Sequence, residues 1–168
     1  MLFTLQHRFK SFENALDEIN KLISEGLSTD KIVAELESIK SRATVYAALD
    51  TLEFLYKGGR LNKASATIGE LTNLKPIISV VDGKVCVVKK CIGKVKAMNA
   101  IINQLNTVDA DPNFPIYSIY TCDPTNCEKL ESKLNEKNLS YLSKQQIGPS
   151  IGAHVGPGAF GVVYIRNS

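Results

Sequence analysis

Apolar side chains recur at three- and four-residue steps through the first forty residues of the chain. Over residues 12–25 this spacing predicts a helix with one buried stripe. The stripe consists of Phe12, Ala15, Leu16, Ile19, Leu22 and Ile23. Gly26 ends this helix, and Ser28 is a favourable N-cap for a second helix over 29–41. The apolar residues of the second helix are Ile32, Val33, Leu36 and Ile39.

After these two helices, the pattern alternates between runs suited to strands and runs suited to helices. "ATVYAAL" (43–49) predicts a buried strand, and "TLEFLYKG" (51–58) predicts a short helix. That helix ends at Gly58 and Gly59, which permit a left-handed C-cap. A further helix is expected over 62–72.

The segment "PIISVVDGKVCVVKK" predicts a β-hairpin. Two β-branched runs flank Asp82 and Gly83, a dipeptide suited to a type I′ turn. The two strands must therefore be antiparallel.

The second half of the chain continues the alternation of helices and strands. The predicted elements are a helix over 93–106 with Val95 turned inward, a strand over 115–122, a helix from Asp123 and Pro124 to about 137, and strands over 139–145 and 159–165. The hairpin and the short connections favour an α+β fold, in which an antiparallel or mixed sheet carries helices mainly on one face. Residues 1–41 are predicted to form a helical lead-in, and residues 42–168 an α+β lobe.

Composition and charge are those of an ordinary folded domain. The chain is 44% apolar and 22% charged, and 168 residues are enough to bury a core without metals or disulfides. The net charge is +3, and the basic residues are spread along the chain among acidic ones, which argues against a nucleic-acid partner. The one basic cluster, "VVKKCIGKVK", is best explained as a solvated face.

The cysteines indicate neither a redox motif nor a metal site. Cys86 and Cys91, like Cys122 and Cys127, are separated by four residues, which is neither a CxxC spacing nor a usual zinc spacing. No run approaches the roughly 20 apolar residues of a membrane span, and the first residues lack the apolar core of a signal peptide. We expect free thiols, no metal, no stable membrane insertion and a cytoplasmic location.

The glycine-rich stretch "IGPSIGAHVGPGAFGVVYI" (147–165) is the most unusual part of the sequence. Its fragment "GPGAFG" runs into a β-branched segment, with no lysine and no helix start there, so a phosphate-binding loop is disfavoured. His154 within it lacks the local signature of a nucleophile and its base. Locally, a histidine hydrogen-bonded in a tight turn and a functional histidine remain equally open.

Arg60 directly follows the Gly58–Gly59 pair. Its planar guanidinium fork suits a carboxylate or phosphate ligand better than a lysine would. The alternative is a surface arginine or an internal salt bridge.

Two segments together resemble the signature regions of the DegV family. They are "LEFLYKGGRLNKASATIGELTNLKPIISVVDGKV" and "IGPSIGAHVGPGAFGVVYI", and their order, their separation and the hairpin between them match the family pattern. The resemblance extends from about residue 14 to the C-terminus.

The resemblance implies a fatty-acid-binding protein without catalytic residues, cofactor or metal, whose ligand is a long-chain fatty acid. It implies that Arg60, His154, Gly59, Gly152 and Gly156 lie near the fatty-acid carboxylate or a kinase-facing surface. Ala64 and Ile68 are expected to line the acyl tunnel. A fatty acid kinase subunit is the partner implied by the family.

The sequence departs from the family pattern in two ways. Family members have two lobes, and this chain resembles the C-terminal lobe with its helical lead-in, so we expect a truncated gene, one half of a split protein or an expressed fragment. The basic run after the hairpin is arginine-rich in the family but holds only lysines here, which leaves Lys94 and Lys96 as candidate kinase contacts.

Two other functions compete with fatty-acid binding. One is a protein-interaction module in which an exposed lobe interface drives homodimerisation. The other is an enzyme that uses His154, for which the sequence provides no nucleophile motif. We expect that the protein is not an enzyme.

Overall fold

The computed structural model describes residues 19–61, 73–81, 83–137 and 142–167. Residues 19–24 are helical, and Gly26, with φ of +74°, lies in the turn that follows. Helix α1 (Thr29–Arg42) then runs directly into the first strand. Residues 19–24 are part of the first predicted helix, whose residues 12–18 lie outside the described residues, and α1 is the second predicted helix.

Only some of the apolar residues on these two helices are buried. Leu22 and Ile39 are buried, whereas Ile23 and Val33 are more than half exposed. The predicted burial of Ile23 was wrong, because a helix buries only the residues that face its neighbours.

Six strands form one mixed sheet. They are β1 (Ala43–Ala48), β2 (Leu74–Val81), β3 (Lys84–Ile92), β4 (Tyr117–Tyr120), β5 (Leu142–Gln146) and β6 (Phe160–Ile165), in the order β3-β2-β1-β6-β4-β5. All neighbours are antiparallel except β4 and β5, which are parallel. The predicted hairpin is confirmed as β2–β3, with Gly83 at φ of +73° in the turn.

Four further helices lie along the described chain. They are α2 (Glu53–Lys57), α3 (Lys94–Thr107), α4 (Thr125–Glu136) and α5 (Pro149–Val155). Pro124 occupies the N-cap position of α4, and the carboxylate of the preceding Asp123 accepts hydrogen bonds from the backbone N–H and the hydroxyl of Thr125. The predicted helix over 62–72 lies outside the described residues.

Helices α3 and α4 cover one face of the sheet. They bury its larger core, which includes Ala97, Met98, Ile101, Cys127, Leu130, Tyr46, Phe160, Val162 and Tyr164. Val95 is 61% exposed, so its predicted inward orientation was wrong. It lies in the first turn of α3.

The opposite face receives the short helices α2 and α5. Its core includes Val45, Leu49, Leu52, Leu55, Ile78, Ile119, Val155 and Ala159. The α+β fold class with a mixed sheet is thus confirmed, and helices pack on both of its faces, α3 and α4 on one and α2 and α5 on the other. The division at residue 41 stays a prediction.

Candidate functional site

Helix α2 ends in a glycine turn that presents Arg60. Gly58 keeps an ordinary φ of −76°, whereas Gly59 adopts the left-handed value of +68°. The Arg60 backbone N–H donates to the carbonyl of Leu55 at 2.9 Å, which closes the turn. The guanidinium Nη1 then donates back to the carbonyl of Gly58 at 2.5 Å. Arg60 is therefore half-buried and held by its own turn.

The glycine-rich stretch contains helix α5, which the sequence did not predict. Pro149 occupies its first turn after Gly148, where a missing N–H costs nothing. Gly156, with φ of +79°, ends the helix and donates to the carbonyl of Gly152 at 2.8 Å. The fragment "GPGAFG" that follows α5 runs into β6, as predicted. The helix itself forms although its glycines have a low helix propensity, because Val155 is buried.

His154 lies in the last turn of α5 and not in a tight turn. Of the two alternatives that the local sequence left open, the histidine in a tight turn was therefore wrong. Its imidazole packs directly on Gly58. A Cβ placed on Gly58 would overlap His154 Nδ1 and would lie 2.9 Å from Cε1. The two motifs, separated by ninety-four residues between Arg60 and His154, are therefore in contact.

In a second contact between the same two helices, α2 provides the side chain and the end of α5 provides the glycine. The ring of Phe54 in α2 lies against Gly156, where an added Cβ would be 2.8 Å from Phe54 Cε2. Phe54 is 37% exposed, so one edge of this ring borders the site. Local sequence did not single out Phe54, since an aromatic residue in a short amphipathic helix is ordinary.

The site combines a cation with a neutral imidazole. Partial burial, and secondly the positive charge of Arg60, lower the pKa of His154 below its usual value. The neutral ring therefore predominates at neutral pH, while Arg60 keeps its charge. A forked donor beside an imidazole suits a carboxylate, because a bound anion offsets the charge of Arg60 and favours protonation of His154.

The other predicted site glycines have different surroundings. Gly59 and Gly152 have open space where a Cβ would point, whereas the corresponding space at Gly156 is filled by Phe54. Their contact with a ligand stays a prediction. Ala64 and Ile68, the predicted tunnel residues, lie outside the described residues.

Asp50 and Thr121 were missed by the sequence interpretation. Asp50 follows β1, and its Oδ1 lies 2.9 Å from Lys75 Nζ and 3.7 Å from Lys94 Nζ. Its carboxylate packs on Gly158, where an added Cβ would be 2.5 Å from Oδ2. Lys94, a candidate kinase contact, thus already faces an acidic group, while Lys96 is exposed.

Thr121 holds the turn that follows α5. The fully buried hydroxyl donates to the carbonyl of Gly156 at 2.7 Å and accepts from the N–H of Ala159 at 2.9 Å. Its only sequence signal was a position at the end of a strand, which says nothing about this distant partner.

The described ranges contain no cluster of three or more His, Cys, Asp or Glu residues arranged for a metal ion. The four cysteines are free thiols, and burial raises the pKa of Cys127 to about 11. Within the same ranges, no helix has the length and apolarity needed to cross a membrane.

Comparison with known proteins identifies relatives of the chain. Residues 10–167 match the family model described as "Uncharacterised protein, DegV family". A DegV domain-containing protein of Clostridium acetobutylicum is 31% identical over 153 residues, which are 90% of this chain and 55% of that protein.

Two solved structures are similar in both sequence and fold. The fatty-acid-binding DegV family protein SAG1342 of Streptococcus agalactiae is 27% identical with a TM-score of 0.79. A fatty-acid-binding DegV family protein from Thermus thermophilus is 26% identical with a TM-score of 0.73. Each match covers 92% of this chain and 56% of the other. The sequence thus spans little more than half the length of these relatives, and it belongs to the DegV family.

Proposed function

We propose that this chain supplies one wall of a site for a long-chain fatty acid, with Arg60 and His154 at the carboxylate end. The observation that carries the proposal is the packing of His154 on Gly58, which also holds Arg60. The fatty-acid binding stated for the relatives from Streptococcus agalactiae and Thermus thermophilus supports this choice of ligand.

The physical reason is the cost of burying a carboxylate. An acyl chain gains free energy by leaving water, but its head group loses several kcal/mol unless donors replace the water. Arg60 provides a charged donor, and His154 provides a second group that gains a proton when an anion approaches. The polar pair adjoins an apolar cluster that contains Leu52, Leu55 and Val155.

The proposed role is binding and presentation rather than catalysis. The partner predicted by resemblance is a fatty acid kinase subunit, with Lys94 and Lys96 as its candidate contacts. Because the chain covers only 55% of the length of the relative from Clostridium acetobutylicum, we expect the isolated chain to retain a fatty acid weakly. A cytoplasmic location and homodimerisation stay predictions, and light scattering tests the latter.

Nuclear magnetic resonance tests the binding proposal even when binding is weak. The backbone amides of the 168-residue chain are followed during titration with decanoate, and separately with decan-1-ol, below the concentrations at which micelles form. Decanoate is expected to shift the amides of Gly58–Arg60 and Gly152–Gly156, while decan-1-ol shifts the apolar wall without the head-group amides. Equal responses to the two ligands would contradict a carboxylate site.

Two variants sharpen this experiment. Arg60→Ala is expected to weaken decanoate binding by about tenfold or more, the usual effect of losing a hydrogen bond to a charged group. Lys57→Ala is the matched control, because it removes an exposed cation of the same helix that pairs with Glu53 at the surface. An equal loss in both variants indicates general charge attraction and not a site at Arg60. Retention of a stoichiometric fatty acid by the isolated monomer in native mass spectrometry contradicts the one-wall interpretation.

A further inference from the structure

We propose that Gly58 is a positioning residue, which sets the placement of the His154 imidazole relative to the Arg60 guanidinium. The expected effect on ligand binding rests on the proposed function, whereas the contacts of Gly58 with the two side chains do not depend on it. One residue contacts both groups: its carbonyl accepts from Arg60 Nη1, and its Cα hydrogens face the His154 ring.

The two adjacent glycines are required for different reasons. Gly59 has φ of +68° and open space around it, so its conformation favours glycine. Gly58 has φ of −76°, which any residue adopts, yet an added Cβ there would overlap the imidazole. What Gly58 provides is therefore room for His154 and not backbone freedom.

The neighbourhood determines which group must move if a methyl is added. The new Cβ would also lie 3.1 Å from the Phe54 carbonyl, which is fixed by a 2.9 Å hydrogen bond from Gly58 N–H. Helix α5 is held in turn by the contact between Phe54 and Gly156. The imidazole, at the end of a rotatable side chain, is the part that yields. Gly58→Ala thus displaces His154 from Arg60 while the helices keep their places.

Titration of His154 provides the first test and needs no ligand. The experiment follows the imidazole resonances in a His7→Gln background, which leaves His154 as the remaining histidine. In Gly58→Ala the His154 pKa is expected to rise toward its ordinary value, because the displaced ring regains solvent and leaves the field of Arg60. Gly148→Ala is the matched control, since Gly148 flanks the same helix with open space around it. An unchanged pKa in Gly58→Ala overturns the proposal.

A double-mutant cycle keeps the proposal testable if Gly58→Ala destabilises the fold. Once His154→Ala has removed the ring, the added methyl keeps only its 3.1 Å approach to the Phe54 carbonyl. Most of the loss of stability caused by Gly58→Ala is therefore expected to disappear in that background. Equal losses in both backgrounds overturn the inference.

The functional consequence is measured last. Gly58→Ala is expected to weaken decanoate binding by about tenfold, the loss of one hydrogen bond to a charged group, while Gly148→Ala leaves it unchanged. If the unsubstituted protein binds no decanoate, the proposed function fails, whereas the titration and the cycle still decide whether Gly58 places His154. Binding by Gly58→Ala equal to that of the unsubstituted protein overturns the functional part alone.

Discussion

The hydroxyl of Thr121 donates a 2.7 Å hydrogen bond to the carbonyl of Gly156, thirty-five residues along the chain. The same oxygen accepts the N–H of Ala159 at 2.9 Å. One buried side chain at the end of β4 therefore fixes both ends of the turn that follows the helix of His154.

Replacing Thr121 by valine keeps the shape of the side chain and removes both hydrogen bonds. Two buried backbone groups lose their partner, so we expect Thr121→Val to lower the free energy of unfolding by about 3 kcal/mol. Thr121→Ser keeps the hydroxyl and loses one methyl group, for an expected cost of about 1 kcal/mol. Urea denaturation followed by circular dichroism measures both. Similar losses for the two variants would mean that packing, and not the hydroxyl, holds this turn.

Elements with strong local signals were predictable from the sequence. The hairpin of β2 and β3 follows from two β-branched runs around a turn dipeptide, and α1 follows from its spacing and N-cap. Helix α5 was not predicted, since its glycines disfavour a helix. Burial of Val155 and the packing of His154 on Gly58 support it. Local signals describe what a segment favours in isolation, and α5 forms because of a partner distant in sequence.

The candidate site divides in the same way. Arg60 and His154 were each identifiable, and the family resemblance associated them. Their physical link through Gly58 was not identifiable, because a glycine with ordinary backbone angles gives no sign of which side chain occupies its empty space. Phe54 and Thr121 likewise have roles that depend on residues far along the chain.

Arg42 at the end of α1 forms a buried ion pair with Asp111, at 2.7 Å between Nη1 and Oδ2. The same Nη1 donates to the carbonyl of Arg166 at 2.9 Å. Removing one partner of a buried pair leaves an uncompensated charge, so Arg42→Ala is expected to cost about 3 kcal/mol of unfolding free energy. Lys40→Ala, which breaks an exposed pair one turn earlier, is the control and is expected to cost less than about 1 kcal/mol. Equal costs would place the Arg42 pair among ordinary surface pairs.

The same ion pair predicts a dependence of stability on pH. The hydrogen bond from Arg42, followed by that from the Asn113 backbone, lowers the pKa of Asp111 below its usual value. The pair therefore stabilises the fold above the carboxyl's unfolded pKa, and this stabilisation is lost as the pH falls through the lower folded pKa. In acid titrations of stability, Asp111→Asn is expected to flatten the decline in this range. A decline as steep as that of the unsubstituted protein would assign the acid sensitivity to other carboxyls.

The cysteines are expected to differ in reactivity. Burial raises the pKa of Cys127 to about 11, and its thiol is inaccessible, whereas Cys122 is exposed. Because the thiolate is the reactive form, a chromogenic disulfide reagent at mildly alkaline pH should label Cys122 quickly and Cys127 only on unfolding. Cys122→Ser should abolish the fastest phase, while the half-buried Cys86 reacts more slowly in both proteins. Fast labelling of Cys127 in the native protein would contradict its burial against the sheet.

Gly161 in β6 lies opposite Ala47 in the central strand pair, with no room for a side chain. A Cβ there would lie 2.5 Å from the Tyr46 carbonyl oxygen and 2.6 Å from the Ala47 Cα. Both obstacles are backbone atoms of β1, so the strands must separate, and Gly161→Ala is expected to cost about 2 kcal/mol or more. Gly148→Ala, where the Cβ meets open space, is the control and should leave the urea midpoint almost unchanged. Equal midpoints for the two variants would show that β1 and β6 can part at this point without loss, contrary to their close packing in the middle of the sheet.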